Sequence, residues 1–224
     1  MLIEFFSGRA TFVDVLIWVF CFLLCITVHE VAHGYAAYKL GDDTAKRMGR
    51  LTLNPVPHID VIGLLAILVF RFGWAKPVPV DPRHFNRKVT MRGGMAITAF
   101  AGPLSNLIFG FVSLFTLMTL ESLGVMGSSA AWLTVAEILA TLVWLNIMLA
   151  VFNLIPVPPL DGSKIVAMLL PNKTLFQYMR IERYGFLILI LALNLPQFRF
   201  VLDSIIRSIL NSYIWVVQLL PFIG

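Results

Sequence analysis

Two histidines and a glutamate occur together in the first apolar segment, in the order His29-Glu30-Val31-Ala32-His33. Because residues four positions apart lie on one face of a helix, one turn apart, both histidines can reach a single zinc ion. Glu30 lies beside them, where it can act as general base on a water at the metal. A polar cluster inside an apolar helix is costly without a partner, and a metal ion is such a partner. The pattern therefore predicts a catalytic zinc site.

A catalytic zinc ion takes three protein ligands, so one more is needed. Cys25 lies one turn before His29, but it is about 12 Å along the helix from His33 and is excluded. Asp161 follows the proline-rich residues 156–159, which end an apolar segment. Irregular backbone at membrane depth is tolerated where it is buried in protein or lines a wet cavity. Asp161 is therefore the better candidate for the third ligand, although such a string taken alone more often forms an ordinary turn.

The composition places these residues in a membrane protein. Hydrophobic residues make up 59% of the 224 residues and charged residues only 13%, whereas soluble domains carry about 25% charged residues. We expect a single integral membrane domain over residues 1–224, with a motif-bearing core at about 12–170 and further membrane segments at 171–224. The net charge of +5 is expected to set the orientation in the bilayer, with no nucleic acid as partner.

The apolar segments predict an all-α, polytopic helix bundle with four to six membrane segments. The clearest spans are Phe12–Leu40, Met95–Leu120 and Ala131–Ile155, and we expect the first to be retained rather than cleaved as a signal peptide. Residues 58–72 and 184–195 are short for a span, and Phe200–Phe222 is either a span or an interfacial helix. Closely spaced prolines predict a short extended or β-like segment near 73–82.

The distribution of Lys and Arg predicts the topology. Ten of them lie between Lys39 and Arg92, none lies in Glu121–Ala130, and four follow in 156–183. Since cytoplasmic loops are enriched in Lys and Arg, residues 41–92 and 156–183 are expected inside, and the N-terminus and 121–130 outside. The metal site then lies within the cell membrane, nearer its cytosolic side.

Together these motifs resemble the site-2 protease family of intramembrane zinc metalloproteases, in the compact form without a PDZ or CBS domain. The resemblance covers roughly residues 25–165. The matching stretches are His29–His33, Gly49–Pro55, His58–Asp60, Gly73–Val78, Gly102–Asn106 and Asn153–Gly162. It implies that His29, His33 and Asp161 bind one zinc ion per chain and that Glu30 is the catalytic base. It also implies that Asn153 binds substrate or stabilises the oxyanion.

Several polar residues keep two interpretations. Asn106 is a candidate for contact with the site or for hydrogen bonding between helices. His58 and Asp60 are either outer-sphere groups of the metal site or interfacial polar residues. Glu137 lies inside a span, where it can serve a water path or extend towards the membrane surface.

The expected reaction is hydrolysis of a peptide bond in or near a transmembrane segment of a substrate protein, with single-span membrane proteins and the lipid bilayer as partners. A metal or proton transporter is one alternative, although transporters usually show repeated halves and we find no repeat. An inactive scaffold of the same fold is the other, and the intact Glu30 argues against it. The sequence predicts neither the substrate's identity nor the oligomeric state.

Overall fold

The computed structural model describes residues 11–70, 73–124 and 129–220. Parts of three predictions fall outside these residues: the side of the membrane taken by the N-terminus, the middle of the loop 121–130, and the ends of the apolar segments at 72 and 222. In the described chain the helices are α1 (Phe12–Lys39), α2 (Thr44–Arg47), α3 (Val61–Phe70), α4 (Met91–Ser122), α5 (Ala130–Asn153), α6 (Asp161–Leu169), α7 (Asn172–Met179), α8 (Glu182–Asn194) and α9 (Pro196–Gln218).

Four of these helices, α1, α4, α5 and α9, are long and apolar enough to cross a membrane. The predicted all-α bundle with four to six membrane segments is therefore confirmed at four. Helix α3 has 10 residues and α8 has 13, too few for a span, as their apolar segments predicted. Helix α4 begins four residues before the predicted start because Thr90 caps it, accepting a hydrogen bond from Gly93 N.

The four long helices pack through two apolar clusters. One joins α1 to α5 and includes Phe22, Cys25, Leu145 and Leu149. The other seats α9 against α4 and α5, with Ile206 of α9 in contact with the group that contains Leu114, Val143 and Ile147. Both cysteines are free and fully buried in the first cluster, so they are packing residues. The bundle core thus brings α1, α4 and α5 side by side.

Residues 74–80 form an extended segment, here called the strap. Its pairing is limited to an isolated antiparallel bridge between Ala75 and Ile59 and a hydrogen bond from Lys76 N to the carbonyl oxygen of His58. Pro77 and Pro79 lack an N–H and cannot continue a ladder. The predicted extended segment is therefore present, and the described residues contain no strand.

Asp42, just beyond α1, fixes the far end of the strap. Its fully buried carboxylate accepts hydrogen bonds from Thr44 N at 3.0 Å, from Asp81 N at 2.7 Å and from His84 Nδ1 at 3.3 Å. Burial opposes ionisation, but these hydrogen bonds outweigh it, so the pKa of Asp42 lies below its usual range. The strap is therefore tied to the end of the helix that carries the two histidines.

Candidate metal centre

Helix α1 presents His29 and His33 one turn apart on its buried face. The two residues are 4% and 8% exposed, and their rings meet edge to face with centroids 4.5 Å apart. Their Nε2 atoms are 3.0 Å from each other. Glu30 lies next to them and is half-buried. The spacing in the sequence therefore produces the juxtaposition that a shared ligand requires.

Asp161 is brought to the histidines by the irregular chain between α5 and α6. It is the first residue of α6 and is 5% exposed. Its Oδ2 lies 3.2 Å from His29 Nε2 and 3.0 Å from His33 Nε2. Its other oxygen, Oδ1, accepts a hydrogen bond from Lys164 Nζ at 3.1 Å. The carboxylate thus has one oxygen held by a cation and the other directed at the two imidazoles.

The hydrogen bonds on the far side of each ring assign the imidazole protons. His29 Nδ1 lies 2.5 Å from Asn106 Oδ1, and His33 Nδ1 lies 2.7 Å from the carbonyl oxygen of Thr98. Because carbonyl oxygens only accept, each Nδ1 carries a proton and each Nε2 presents a lone pair. The two Nε2 atoms and Asp161 Oδ2 then form a buried set of acceptors that face one another. We call these three atoms the acceptor triangle.

The acceptor triangle needs a cation, and its chemistry fits zinc. Two neutral imidazole nitrogens and one carboxylate oxygen are a common ligand set for catalytic zinc. Zinc–ligand bonds of about 2.0–2.1 Å in a tetrahedral arrangement place the ligand atoms about 3.3 Å apart, close to the 3.0–3.2 Å seen here. In the described part of the chain, His29, His33 and Asp161 are the group of three residues that could hold a metal ion.

Glycines let the neighbouring helices approach this centre. A Cβ on Gly102 of α4 would lie 2.5 Å from His33 Nε2 and 2.7 Å from His29 Cε1, so a side chain there would displace both rings. A Cβ on Gly162 would lie 2.2 Å from the carbonyl oxygen of Leu154. Gly162 therefore allows the start of α6 to lie close to the end of α5. This position brings the carboxylate of Asp161 into the site.

The strap contacts the candidate centre through a hydrogen bond to Glu30. Val78 N donates a hydrogen bond to Glu30 Oε2 at 2.8 Å. The strap is itself held by Arg50, which is 7% exposed and whose Nη2 donates to the carbonyl oxygens of Lys76 at 2.7 Å and Pro77 at 3.3 Å. The proposed general base is thus oriented by a backbone donor that a buried guanidinium holds in place.

The two amides predicted near the site differ in their contacts. Asn106 is fully buried and contacts His29 directly, so it is an outer-sphere partner of the candidate centre as well as a bond between helices. The Nδ2 of Asn153 donates to the carbonyl oxygen of Leu149 in its own helix at 2.9 Å. Its role towards substrate stays a prediction.

His58 and Asp60 lie apart from the acceptor triangle and have local partners. His58 is 1% exposed, and its Nε2 lies 2.9 Å from the carbonyl oxygen of Thr52. Asp60 Oδ1 accepts from Gly63 N at 2.8 Å at the start of α3. The interpretation of both as polar residues of the surrounding structure is therefore favoured.

Several residues of the site were not singled out from the sequence, among them Asn146, Lys164 and, as a contact of the imidazoles, Gly102. Asn146 is a fully buried amide in the middle of α5, and a polar residue deep in a span is a signal that could have found it. Lys164 follows Asp161 at a spacing that brings the two side chains together on one helix face. Gly102 has no such signal, because small residues are frequent wherever helices pack in membranes.

Comparison with known proteins identifies the family of this chain. A family model described as peptidase family M50 matches residues 120–193. The protein named "Putative zinc metalloprotease YwhC" from Bacillus subtilis (strain 168) is 40% identical over 186 residues, which are 83% of this chain and 84% of that protein. "Putative zinc metalloprotease Rip2" from Mycolicibacterium smegmatis (strain ATCC 700084 / mc(2)155) is 26% identical over 181 residues, 78% of this chain and 65% of that protein. No solved structure matches the chain significantly. The predicted resemblance is confirmed: the chain belongs to peptidase family M50, the site-2 protease family of zinc metalloproteases.

Proposed function

We propose that the protein is an intramembrane zinc endopeptidase that cleaves substrate proteins in or near their transmembrane segments, with one zinc ion held by His29, His33 and Asp161. The observation that carries this proposal is the buried acceptor triangle on a helix long enough to span the bilayer. His29 and His33 lie ten and six residues before Lys39, the last residue of α1. The centre is therefore about 9–15 Å from the helix end, inside the membrane.

Glu30 is the residue that moves protons in this proposal. A zinc ion held by His29, His33 and Asp161 would supply Lewis acidity at the acceptor triangle, which would make water a stronger acid and polarise a carbonyl group. Glu30 accepts one proton from the attacking water as the water oxygen bonds to the carbonyl carbon, and it returns that proton to the amide nitrogen as the C–N bond breaks. The second hydrogen of the water stays on the new carboxyl group, which releases it to solvent. Val78 N–H holds Oε2 in place, and Oε1 is the oxygen we assign to the water.

The substrate is proposed to lie along the strap. A helical substrate hides its backbone groups in internal hydrogen bonds, so it must unwind locally before its scissile bond is accessible. Strand addition to the strap would hold the unwound segment. The N–H groups of Lys76 and Val78 already donate within the chain. The substrate would therefore donate its own N–H groups to carbonyl oxygens of the strap, each of which has two lone pairs.

The proposed localisation is the cell membrane, with the centre nearer the cytosol. The ten Lys and Arg between Lys39 and Arg92, compared with none in Glu121–Ala130, support this orientation. Single cysteines introduced at Arg87 and Ser129 of a variant lacking Cys21 and Cys25 test it. An impermeant thiol reagent added outside intact cells should modify position 129 and spare position 87. The reverse labelling would overturn the topology.

The central experiment is coexpression with candidate single-span membrane proteins. Wild type and the Glu30→Gln variant are compared for a product whose new terminus lies in or near the substrate's membrane segment, and the zinc content of both purified proteins is measured. We expect a product with wild type alone and about one zinc per chain in both. Cleavage at the same rate by a zinc-loaded, folded Glu30→Gln variant would remove Glu30 as the base.

A further inference from the structure

Two amides connect the backbone of α5 to His29. Asn106 of α4 and Asn146 of α5 are both fully buried. Asn106 Oδ1 accepts from His29 Nδ1 at 2.5 Å, and Asn106 Nδ2 donates to Asn146 Oδ1 at 2.7 Å and to the carbonyl oxygen of Cys25 at 3.3 Å. Asn146 Nδ2 donates to the carbonyl oxygen of Leu142 at 2.9 Å. These hydrogen bonds form an unbroken chain from a helix carbonyl to the imidazole.

This chain has a direction, because its first member can only accept. The Leu142 carbonyl requires the NH₂ group of Asn146, which leaves Asn146 Oδ1 facing Asn106. The NH₂ group of Asn106 must then face Asn146, which leaves Asn106 Oδ1 facing His29. His29 therefore carries its proton on Nδ1 and keeps the lone pair of Nε2 for the acceptor triangle.

We propose that Asn146 is a positioning residue that acts through Asn106 to hold His29 in the tautomer that binds metal, an inference that rests on the zinc site of the proposed function. If the amide of Asn106 turned over, its NH₂ group would face Nδ1 and the proton would move to Nε2. A protonated Nε2 cannot donate a lone pair to a metal ion. Asn146 opposes that rotation by offering an acceptor at the position of the NH₂ group.

The packing of α4 on α5 is arranged to permit this contact. A Cβ on Gly110 would lie 3.2 Å from Asn146 Cβ, so the glycine allows the two helices to approach at the level of the amides. The absence of solvent exposure at Asn106 and Asn146 also matters, because hydrogen bonds are stronger and a missing partner is more costly where water is excluded.

The test is a double-mutant cycle on zinc affinity, measured by chelator competition with purified full-length protein. Loss of an outer-sphere partner typically weakens metal binding 10–100-fold, so we expect Asn146→Leu to weaken it about 10-fold. In an Asn106→Leu background the same substitution should have no further effect, because the amide that connects Asn146 to His29 Nδ1 is then absent. Asn194→Leu is the matched control, since Asn194 makes the same bond to a carbonyl one turn back but lies in α8.

If Asn146 has only a structural role, the zinc affinities in the double-mutant cycle should follow a different pattern. Asn146→Leu would then weaken zinc binding equally in the wild-type and Asn106→Leu backgrounds, or in neither, and each result overturns the proposal. Asn146→Ser covers the case in which the Leu variant does not fold, because a serine hydroxyl keeps the bond to Leu142 but is too short to reach Asn106. If wild type binds no zinc, or if His29→Ala binds zinc fully, the metal site itself is overturned, and the proposed role of Asn146 is overturned with it.

Discussion

Helices α1 and α9 are both long and apolar enough to span a membrane, yet the protein uses them differently. In an apolar stretch of 18 residues within α1, 44% of the residues are buried inside the protein. In the corresponding stretch of α9 the buried share is 11%. The buried residues of α1 include polar ones, whereas those of α9 are Ile206 and Val217. Apolar composition identifies both as candidate spans. Buried polar groups that need partners distinguish α1, which carries the candidate metal centre, from α9.

The predicted motifs follow the same division. All of them lie before residue 165, on α1, α4, α5, the strap, the chain between α2 and α3 and the start of α6, and several of their polar groups have a partner on another element. Residues 172–218 contribute a scaffold whose large apolar side chains are mostly exposed. If this division is correct, substitutions of the same type should have very different consequences in the two regions.

The largest difference is expected between two aspartates. Asp161→Ala removes a corner of the acceptor triangle and should abolish stable zinc binding together with activity. Asp60→Ala, which removes a hydrogen bond to Gly63 N at the start of α3, should leave about one zinc per chain. Metal analysis of the purified proteins measures this. Zinc loss in the Asp60 variant with full zinc in the Asp161 variant would transfer the ligand role to Asp60.

The second difference concerns two glutamates on spanning helices. Glu30→Gln should lower cleavage by about 10²–10⁴-fold, the usual contribution of a general base, because it removes the proton acceptor for the attacking water. Gln is nearly isosteric and Glu30 is outside the acceptor triangle, so zinc and fold should remain. Glu137→Gln, on the exposed side of α5, should cleave as wild type does. Equal losses in the two variants would argue for a shared proton path instead.

A smaller loss of zinc affinity is expected when one methyl group is added at Gly102. Gly102→Ala places a Cβ about 2.5 Å from the His33 ring, so the imidazoles or α4 must shift. We expect zinc affinity to fall at least as far as for loss of an outer-sphere partner, about 10–100-fold, with the helical circular dichroism retained. Thr116→Ala is the control, since Thr116 is half-buried on the same helix and its hydroxyl bonds only to the carbonyl oxygen of Val112 among the hydrogen bonds described. Wild-type zinc affinity in Gly102→Ala would show that the rings can adjust freely.

The sequence predicted the parts of this arrangement that depend on local patterns. The spacing of His29 and His33 determines that both lie on one helix face, and α1 ends within one residue of its predicted end. The contacts of Gly102, Asn146 and Val78 could not be predicted in this way, because they depend on how neighbouring helices and the strap are rotated and how closely they approach. That geometry is set by the packing of the whole bundle rather than by a local period.

A stability difference is expected between adjacent aspartates that follow α1. Asp42 has a lowered pKa in the folded protein, so its carboxylate stabilises the fold above its unfolded pKa, near 3.9, and this contribution is lost as the pH falls through the folded pKa. Asp42→Asn should lower the free energy of unfolding by about 1–3 kcal/mol at pH 7. This difference between the variant and the wild type should become smaller towards pH 3. Asp43→Asn, at an exposed carboxylate paired with Arg47, should cost little. Thermal unfolding at both pH values measures this, and a deficit that is constant with pH would exclude ionisation as its cause.

The smallest effect is expected for a substitution on the exposed surface of α9. Phe22 of α1 is 3% exposed and Phe200 of α9 is 72% exposed. In a soluble core Phe→Ala costs about 3–5 kcal/mol, but lipid is as apolar as a side chain, so only lost packing and the cavity count in a membrane. We therefore expect Phe22→Ala to cost roughly 1–3 kcal/mol, with its packing lost, and Phe200→Ala to stay within about 0.5 kcal/mol, as surface substitutions usually do. Unfolding of both variants in lipid nanodiscs measures the difference. A cost at Phe200 equal to that at Phe22 would mean that α9 packs against another protein surface, such as a second copy of this chain, rather than against lipid.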